Sequence, residues 1–205
     1  VGTYTDCLLH WKNGQLTPVL QQSNGLPGNE VRAILTDYQQ NLWIGTASGL
    51  SVLRPNGALH TYSADDGLPA SFIMALQEDE QHRIWVGTGV GVSVFHNGKF
   101  EHIDISAMEN AEYAFGFYSE PGYMWMTTDR GLLRYRSSDG AIGMVGRKNG
   151  LPIDKLFQVI PDNMGYLWLS SNRGMIRISK AEAVEVIEGR KQQIAVTTFG
   201  ESDGM

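Results

Sequence analysis

Leu42-Trp43-Ile44-Gly45-Thr46 returns as Ile84-Trp85-Val86-Gly87-Thr88, as Met124-Trp125-Met126-Thr127-Thr128 and as Leu167-Trp168-Leu169-Ser170-Ser171. The four Trp residues are 42, 40 and 43 positions apart. A period of about 40 to 50 residues carrying several short strands is the signature of a β-propeller, in which each repeat makes one four-stranded blade.

Working outward from Trp43, residues 24–65 display the whole unit. A turn Asn24-Gly25-Leu26-Pro27 precedes apolar or alternating runs at 31–37, 42–46, 50–53 and 59–62. Runs of this length, rich in Val, Ile, Leu and Tyr and separated by Gly, Asn and Asp, predict strands. The third and fourth strands are joined by Asn56-Gly57, with Asn13-Gly14, Asn97-Gly98 and Asp139-Gly140 at the same phase. Such dipeptides supply the positive φ that a two-residue hairpin needs. Asp37, Asp79 and Asp162 each stand six residues before a Trp, where a carboxylate accepts backbone N–H bonds within a turn, and Ser119 holds that place in the remaining unit. The Leu-Pro turn recurs at Asp66-Gly67-Leu68-Pro69 and Asn149-Gly150-Leu151-Pro152, but residues 107–116 lack it.

The expected fold is therefore all-β: a propeller of four-stranded antiparallel blades in units 1–23, 24–65, 66–107, 108–148 and 149–205. Val1-Gly2-Thr3 matches Val86-Gly87-Thr88, so the first of about five blades lacks its innermost strand, and the chain reads as part of a larger ring. Residues 198–205 resemble an outer strand plus the turn that feeds another blade, and the open blade edges are expected to pair with a second copy. Ser179-Lys180-Ala181-Glu182 is a capping box; with the stripe Ala183, Val184 and Ile187 and the stop Gly189 it predicts one short helix of about nine to ten residues.

Composition bounds the function. With 205 residues, 42% hydrophobic and 19% charged, the chain has the balance of a soluble globular protein, and 24 Gly with 5 Trp fit many turns and short strands. A net charge of -6, with 16 Lys and Arg thinly spread, argues against nucleic acid as a partner. Cys7 stands alone, which excludes a disulfide framework and a cysteine metal site. His10, His60, His82, His96 and His102 never fall at metal-ligand spacing. Gly87-Thr88-Gly89-Val90-Gly91 runs from strand to strand without a Lys or a helix start, so it is a blade turn and not a phosphate loop. No catalytic residues, metal or cofactor are expected, and the Trp at one position of every blade packs between sheets.

Loops converge near the axis of a propeller, at the turn before each inner strand and the loop after each second strand. There the framework repeats and the residues differ. The first position reads Asn29-Glu30, Ser71-Phe72, Glu112-Tyr113 and Asp154-Lys155, and the second reads Ser48, Val90, Arg130 and Arg173. Asn29, Glu30, Phe72, Tyr113, Arg130, Asp154, Lys155 and Arg173 are the candidate ligand-binding residues, aromatic faces beside cations that suit a small polar or anionic ligand such as a saccharide.

The order Leu-Pro, Asp, Leu-Trp-Ile-Gly-Thr, Gly-Leu resembles the two-component regulator propeller repeat over residues 1 to about 175. The family's Gly three residues before the Trp is kept as Gly122 and Gly165 and replaced by Gln40 and His82. The Trp125 unit is the weakest match, having lost Leu-Pro, Asp and the Gly of Gly-Thr. The resemblance implies a periplasmic sensory propeller, non-enzymatic in this segment. In that family it precedes a β-sandwich, a membrane helix and a cytoplasmic histidine kinase or diguanylate cyclase, so membrane contact is expected only through the rest of such a protein. The alternatives are a streptogramin-lyase-like or glycosidase propeller, or a protein-interaction platform.

Overall fold

The structure, a computed structural model, describes residues 1–200, 203 and 204. It consists of two compact units, Val1–Ile103 and Asp104–Met205. In unit one, β1 (Leu8–Lys12) and β2 (Gln15–Leu20) form a two-stranded sheet. β3 (Val31–Thr36), β4 (Leu42–Thr46), β5 (Gly49–Leu53) and β6 (Leu59–Tyr62) form a four-stranded sheet in chain order. β7 (Ile73–Glu78), β8 (Ile84–Thr88), β9 (Gly91–His96) and β10 (Lys99–Ile103) repeat it. All pairs are antiparallel, and in each four-stranded sheet the second strand carries the Trp.

Unit two repeats the pattern twice. β11 (Ala114–Glu120), β12 (Tyr123–Thr128), β13 (Leu132–Arg136) and β14 (Ile142–Val145) make one sheet. β15 (Leu156–Pro161), β16 (Tyr166–Ser171), β17 (Gly174–Ser179) and β18 (Val196–Phe199) make the other, with α1 (Lys180–Ile187) inserted between β17 and β18. The all-β architecture of four-stranded antiparallel blades with one short helix is that expected.

The second strand of the first three four-stranded blades is buried on both faces, with Ile44, Trp85, Val86, Trp125 and Met126 at 0% exposure; in β16 only the face of Leu167 and Leu169 is fully covered, and Trp168 is half-buried. In unit one Trp43 packs with Leu50, Val52, Leu68, Ile73, Ile84 and Val86. In unit two Trp125 packs with Leu132, Val145, Leu151, Leu156 and Leu167. The indole N–H of Trp43, Trp85 and Trp168 is donated to the Asp six residues earlier, at 2.9, 2.8 and 3.0 Å. The other oxygen of Asp37 accepts the N–H of Gln39 and Asn41, both at 2.9 Å. One carboxylate thus closes the turn and satisfies a buried indole. In the Trp125 unit Ser119 does not take this role. There the turn shortens to Pro121-Gly122, Glu120 faces Tyr123 across it, and Glu120 Oε1 accepts the indole N–H at 2.8 Å.

The Leu-Pro turns are single 3₁₀ turns in which Gly25, Gly67 and Gly150 adopt φ of 119°, 88° and 103°. Asn24, Asp66 and Asn149 reach back to the backbone N–H three residues earlier, and Leu26, Leu68 and Leu151 plug the core. Two-residue hairpins with positive φ at both centres occur at Asn13-Gly14 and Asn97-Gly98. At 56–57 and 139–140 the connections are longer and only the Gly has positive φ. Asn56 and Asp139 instead accept the N–H two residues on, at 3.0 and 3.1 Å.

Helix α1 has eight residues, shorter than expected. Ser179 Oγ caps Glu182 N at 3.3 Å, but the reciprocal half of the box is absent because Glu182 Oε2 accepts Ala195 N at 2.9 Å and its other oxygen pairs with Lys191. The helix carboxylate anchors the return to β18 instead. Beyond β18, Gly200 N is donated to Asp203 Oδ2 at 2.9 Å, the same back-reach as in the Leu-Pro turns. The remainder of the turn expected there, Glu201, Ser202 and Met205, lies outside the described residues.

Candidate functional site

Every inner strand carries one extra residue relative to its partner. The register slips between Val31 and Ala33, Ile73 and Ala75, Ala114 and Gly116, and Leu156 and Gln158. The bulged residues are Arg32, Met74, Phe115 and Phe157. A bulge re-aims its side chain out of the sheet alternation and is over-represented beside functional sites. The loop after the second strand is equally regular. Oγ of Thr46, Thr88, Thr128 and Ser171 is donated to the carbonyl three residues on and accepts the N–H of Ser48, Val90, Arg130 and Arg173. The hydroxyl holds the loop backbone fixed while the side chain two residues later is free to vary.

In unit one the bulged Arg32 organises the cluster. Its guanidinium lies 4.6 Å from the centre of the Phe72 ring and 5.8 Å from that of Tyr4, and it pairs with Glu30 at 2.5 Å. Tyr4 is 71% and Phe72 37% exposed, so both rings keep accessible surface. Backbone bonds from Ala47 N to Glu30 O and from Gly89 N to Phe72 O hold the paired loops together. Asn29 is not part of this group: its Oδ1 accepts from Cys7 Sγ at 2.9 Å and Gln22 N at 3.2 Å, at the wall of a separate cavity of about 480 Å³ beside Thr5 and Asp6.

In unit two Lys155 Nζ lies 5.1 Å from the centre of the Phe115 ring and 5.8 Å from that of Phe157, the two bulged aromatics, which meet edge to face at 5.7 Å. Tyr113 adjoins Phe115 at 6.2 Å. Asp129 Oδ1 accepts the N–H of both Glu112 and Tyr113 at 3.0 Å, and Asp129 Oδ2 lies 3.5 Å from Arg130, which joins the Arg130 loop to Tyr113. The bond to Glu112 and that residue's charge push the Tyr113 phenol above its ordinary value. Asp154 faces Arg147 at 3.8 Å instead of Lys155, and Arg173 stands exposed on its own loop.

Of the eight candidates, then, Glu30 and Phe72 share one cluster, and Tyr113, Lys155 and Arg130 share another. Sequence reasoning missed Arg32, Tyr4, Phe115, Phe157 and Asp129. The available signal was the phase of the inner strand, in which one position reads Arg32, Met74, Phe115 and Phe157 while its neighbours stay apolar or small. Cation–aromatic pairs of this kind bind planar or polar ligands by stacking and charge-assisted hydrogen bonds. Among the described residues no group of three or more His, Cys, Asp and Glu is placed to hold a metal ion.

These features define a class: a repeat protein of four-stranded propeller blades with variable, cation-and-aromatic loops at one end of each sheet. The repeats at residues 25–48 and 67–89 match the two component regulator propeller family. No curated protein sequence matches the chain. Among solved structures, the extracellular domain of a hybrid two component system of B. thetaiotaomicron aligns with a TM-score of 0.69 at 21% identity, covering 78% of this chain and 23% of that one. PorZ, a surface component of the type-IX secretion system of Porphyromonas gingivalis, aligns at 0.66 and 15% identity over 98% of this chain and 32% of its own. Virginiamycin B lyase of Staphylococcus aureus aligns at 0.59 and 17% identity, over 83% of this chain and 55% of the lyase. At these identities the likenesses establish the propeller fold. The chain spans about a quarter of the first of these structures and a third of the second.

Proposed function

We propose that this chain is the ligand-sensing part of an extracytoplasmic propeller in a bacterial signalling protein, without enzymatic activity of its own. The observation that carries the reading is the use of the bulged position to build cation–aromatic clusters, Arg32 with Phe72 and Tyr4 in unit one and Lys155 with Phe115 and Phe157 in unit two. Such surfaces recognise a saccharide or organic acid by ring stacking and charge-assisted bonds. The two component regulator propeller repeats, and the extracellular domains of hybrid two component systems among the fold neighbours, support a periplasmic setting. In this reading the membrane is met only through the rest of a larger protein, whose output is a histidine kinase or diguanylate cyclase, and blade edges pair two copies.

A thermal-shift screen against saccharides and organic acids tests the proposal. A stabilising ligand is expected, with the shift abolished by Arg32→Ala or Lys155→Ala in an otherwise folded chain. A hit that is indifferent to both substitutions contradicts the assignment of the site.

A further inference from the structure

At the opposite end of the unit-one sheets, where the β3–β4 and β5–β6 turns lie, a cavity of about 400 Å³ opens beside the turns of the following sheet. Its floor is aromatic. Tyr62 and Phe95 meet at 4.9 Å, Trp43 lies 5.3 Å from Phe95 and parallel to Tyr62 at 5.8 Å, and Ile84 and Val52 complete the apolar base. Trp43 is covered almost completely, whereas Tyr62 and Phe95 are only half-buried and present their rings to the cavity.

The rim is made of donors. Arg54, His82, His96 and Asn97 line it, and the one carboxylate in the lining, Asp37, is already engaged by the Trp43 indole, the Asn41 side chain and two backbone N–H groups. Glu78, the nearby carboxylate, accepts Tyr38 N at 3.0 Å and His82 Nδ1 at 2.9 Å, and Asp66 is turned to Ser63. Among the described residues no ion pair engages Arg54. Its charge lies close enough to the Tyr62 phenol to oppose the rise that burial imposes there. The cavity thus combines an aromatic floor in which Phe95 is tilted 56° to Tyr62, one uncommitted guanidinium and no uncommitted carboxylate, at a size suited to a single-ring ligand.

We infer that this cavity is a binding site for a small aromatic carboxylate, its ring against Tyr62 and Phe95 and its carboxylate on Arg54. The site is independent of the loop clusters above, because it uses the turns at the other end of the same strands.

The test is titration of the whole chain with sodium benzoate, followed through the Trp43 indole and Asn97 amide resonances, with benzamide as neutral isostere and glucose as saccharide control. Benzoate is expected to shift both resonances, benzamide to bind about tenfold more weakly, and Arg54→Gln to weaken benzoate about tenfold without changing benzamide, the scale of one charge-assisted bond. Arg54 is exposed, so the variant keeps the fold. Absence of a benzoate shift, a benzoate affinity unchanged in Arg54→Gln, or tighter binding of glucose at the same resonances would each overturn the inference.

Discussion

Asp37 is the residue on which the unit-one core turns, since one carboxylate satisfies the Trp43 indole, the Asn41 amide and two turn N–H groups. Removing it leaves a buried indole N–H and turn amides without acceptors, so Asp37→Ala is expected to cost about 3 kcal/mol in denaturant unfolding. Burial alone would raise its pKa, but the bonds from Trp43, Asn41 and Gln39 outweigh that and hold it below the ordinary 3.8. Glu120 behaves likewise: burial raises it, and the bonds from Lys180 and Trp125 bring it below the ordinary 4.5. Depressed folded pKa values give stability that is whole above the unfolded values and disappears as pH falls through the folded ones. Unfolding free energy should therefore lose no contribution from these groups between about pH 7 and 5 and fall steeply below about pH 4. A curve already falling between pH 7 and 5 that flattens in Asp37→Asn would contradict this. Gln40 and His82 occupy left-handed backbone, φ 65° and 60°, where their counterparts are Gly122 and Gly165 at 79° and 89°. Gln40→Gly is expected to stabilise by about 0.5 kcal/mol, relief of that strain less the entropy glycine adds to the unfolded chain.

At the scale of strands and sheets, the close approach of neighbouring blades falls on one cross-strand pair. In unit one that pair is Ala33 with Gly45, and a Cβ on Gly45 would stand 2.4 Å from Ile73 Cγ2 of the next sheet. In the Trp125 unit the pair is reversed: Thr127 replaces the Gly, and the partner becomes Gly116, where a Cβ would stand 2.6 Å from the Phe157 carbonyl oxygen. Thr127 Oγ1 bonds to that same carbonyl at 3.1 Å. The apparent loss of a family glycine is a relocation across the ladder. Gly45→Ala and Gly116→Ala should each destabilise by about 2 kcal/mol or more, Gly116→Ala the more because it meets backbone, as read from thermal or denaturant midpoints. Ser179→Ala should cost about 1 kcal/mol as a lost helix cap. Strand identity, hairpin positions and the helix were legible because each rests on local chemistry: the Trp phrase, the Asn-Gly turns, the Ser179 cap. The bulge was not legible, because it is a property of pairing between two strands. For that reason Arg32, Phe115 and Phe157 were absent from the sequence-based site, while Asn29, whose side chain accepts from Cys7, lies apart from the Glu30 cluster.

For the molecule as a whole, the repeat fixes where variation can occur. The Thr and Ser hydroxyls and the indole-binding acids hold each four-stranded blade in one geometry, with 3₁₀ turns leading into all of them except the Trp125 blade. The bulged residue and the two loops beside it then carry chemistry that differs from blade to blade. This division of labour underlies the sensory reading, in which binding without turnover is transmitted onward. The measurement that tests it most directly is calorimetric titration of the chain with the ligand that most stabilises it, followed by mass analysis of the recovered ligand. Saturable binding that requires Arg32 or Lys155, with the ligand recovered unchanged, is the predicted result. Conversion of the ligand during the titration would contradict the account and identify the propeller as an enzyme.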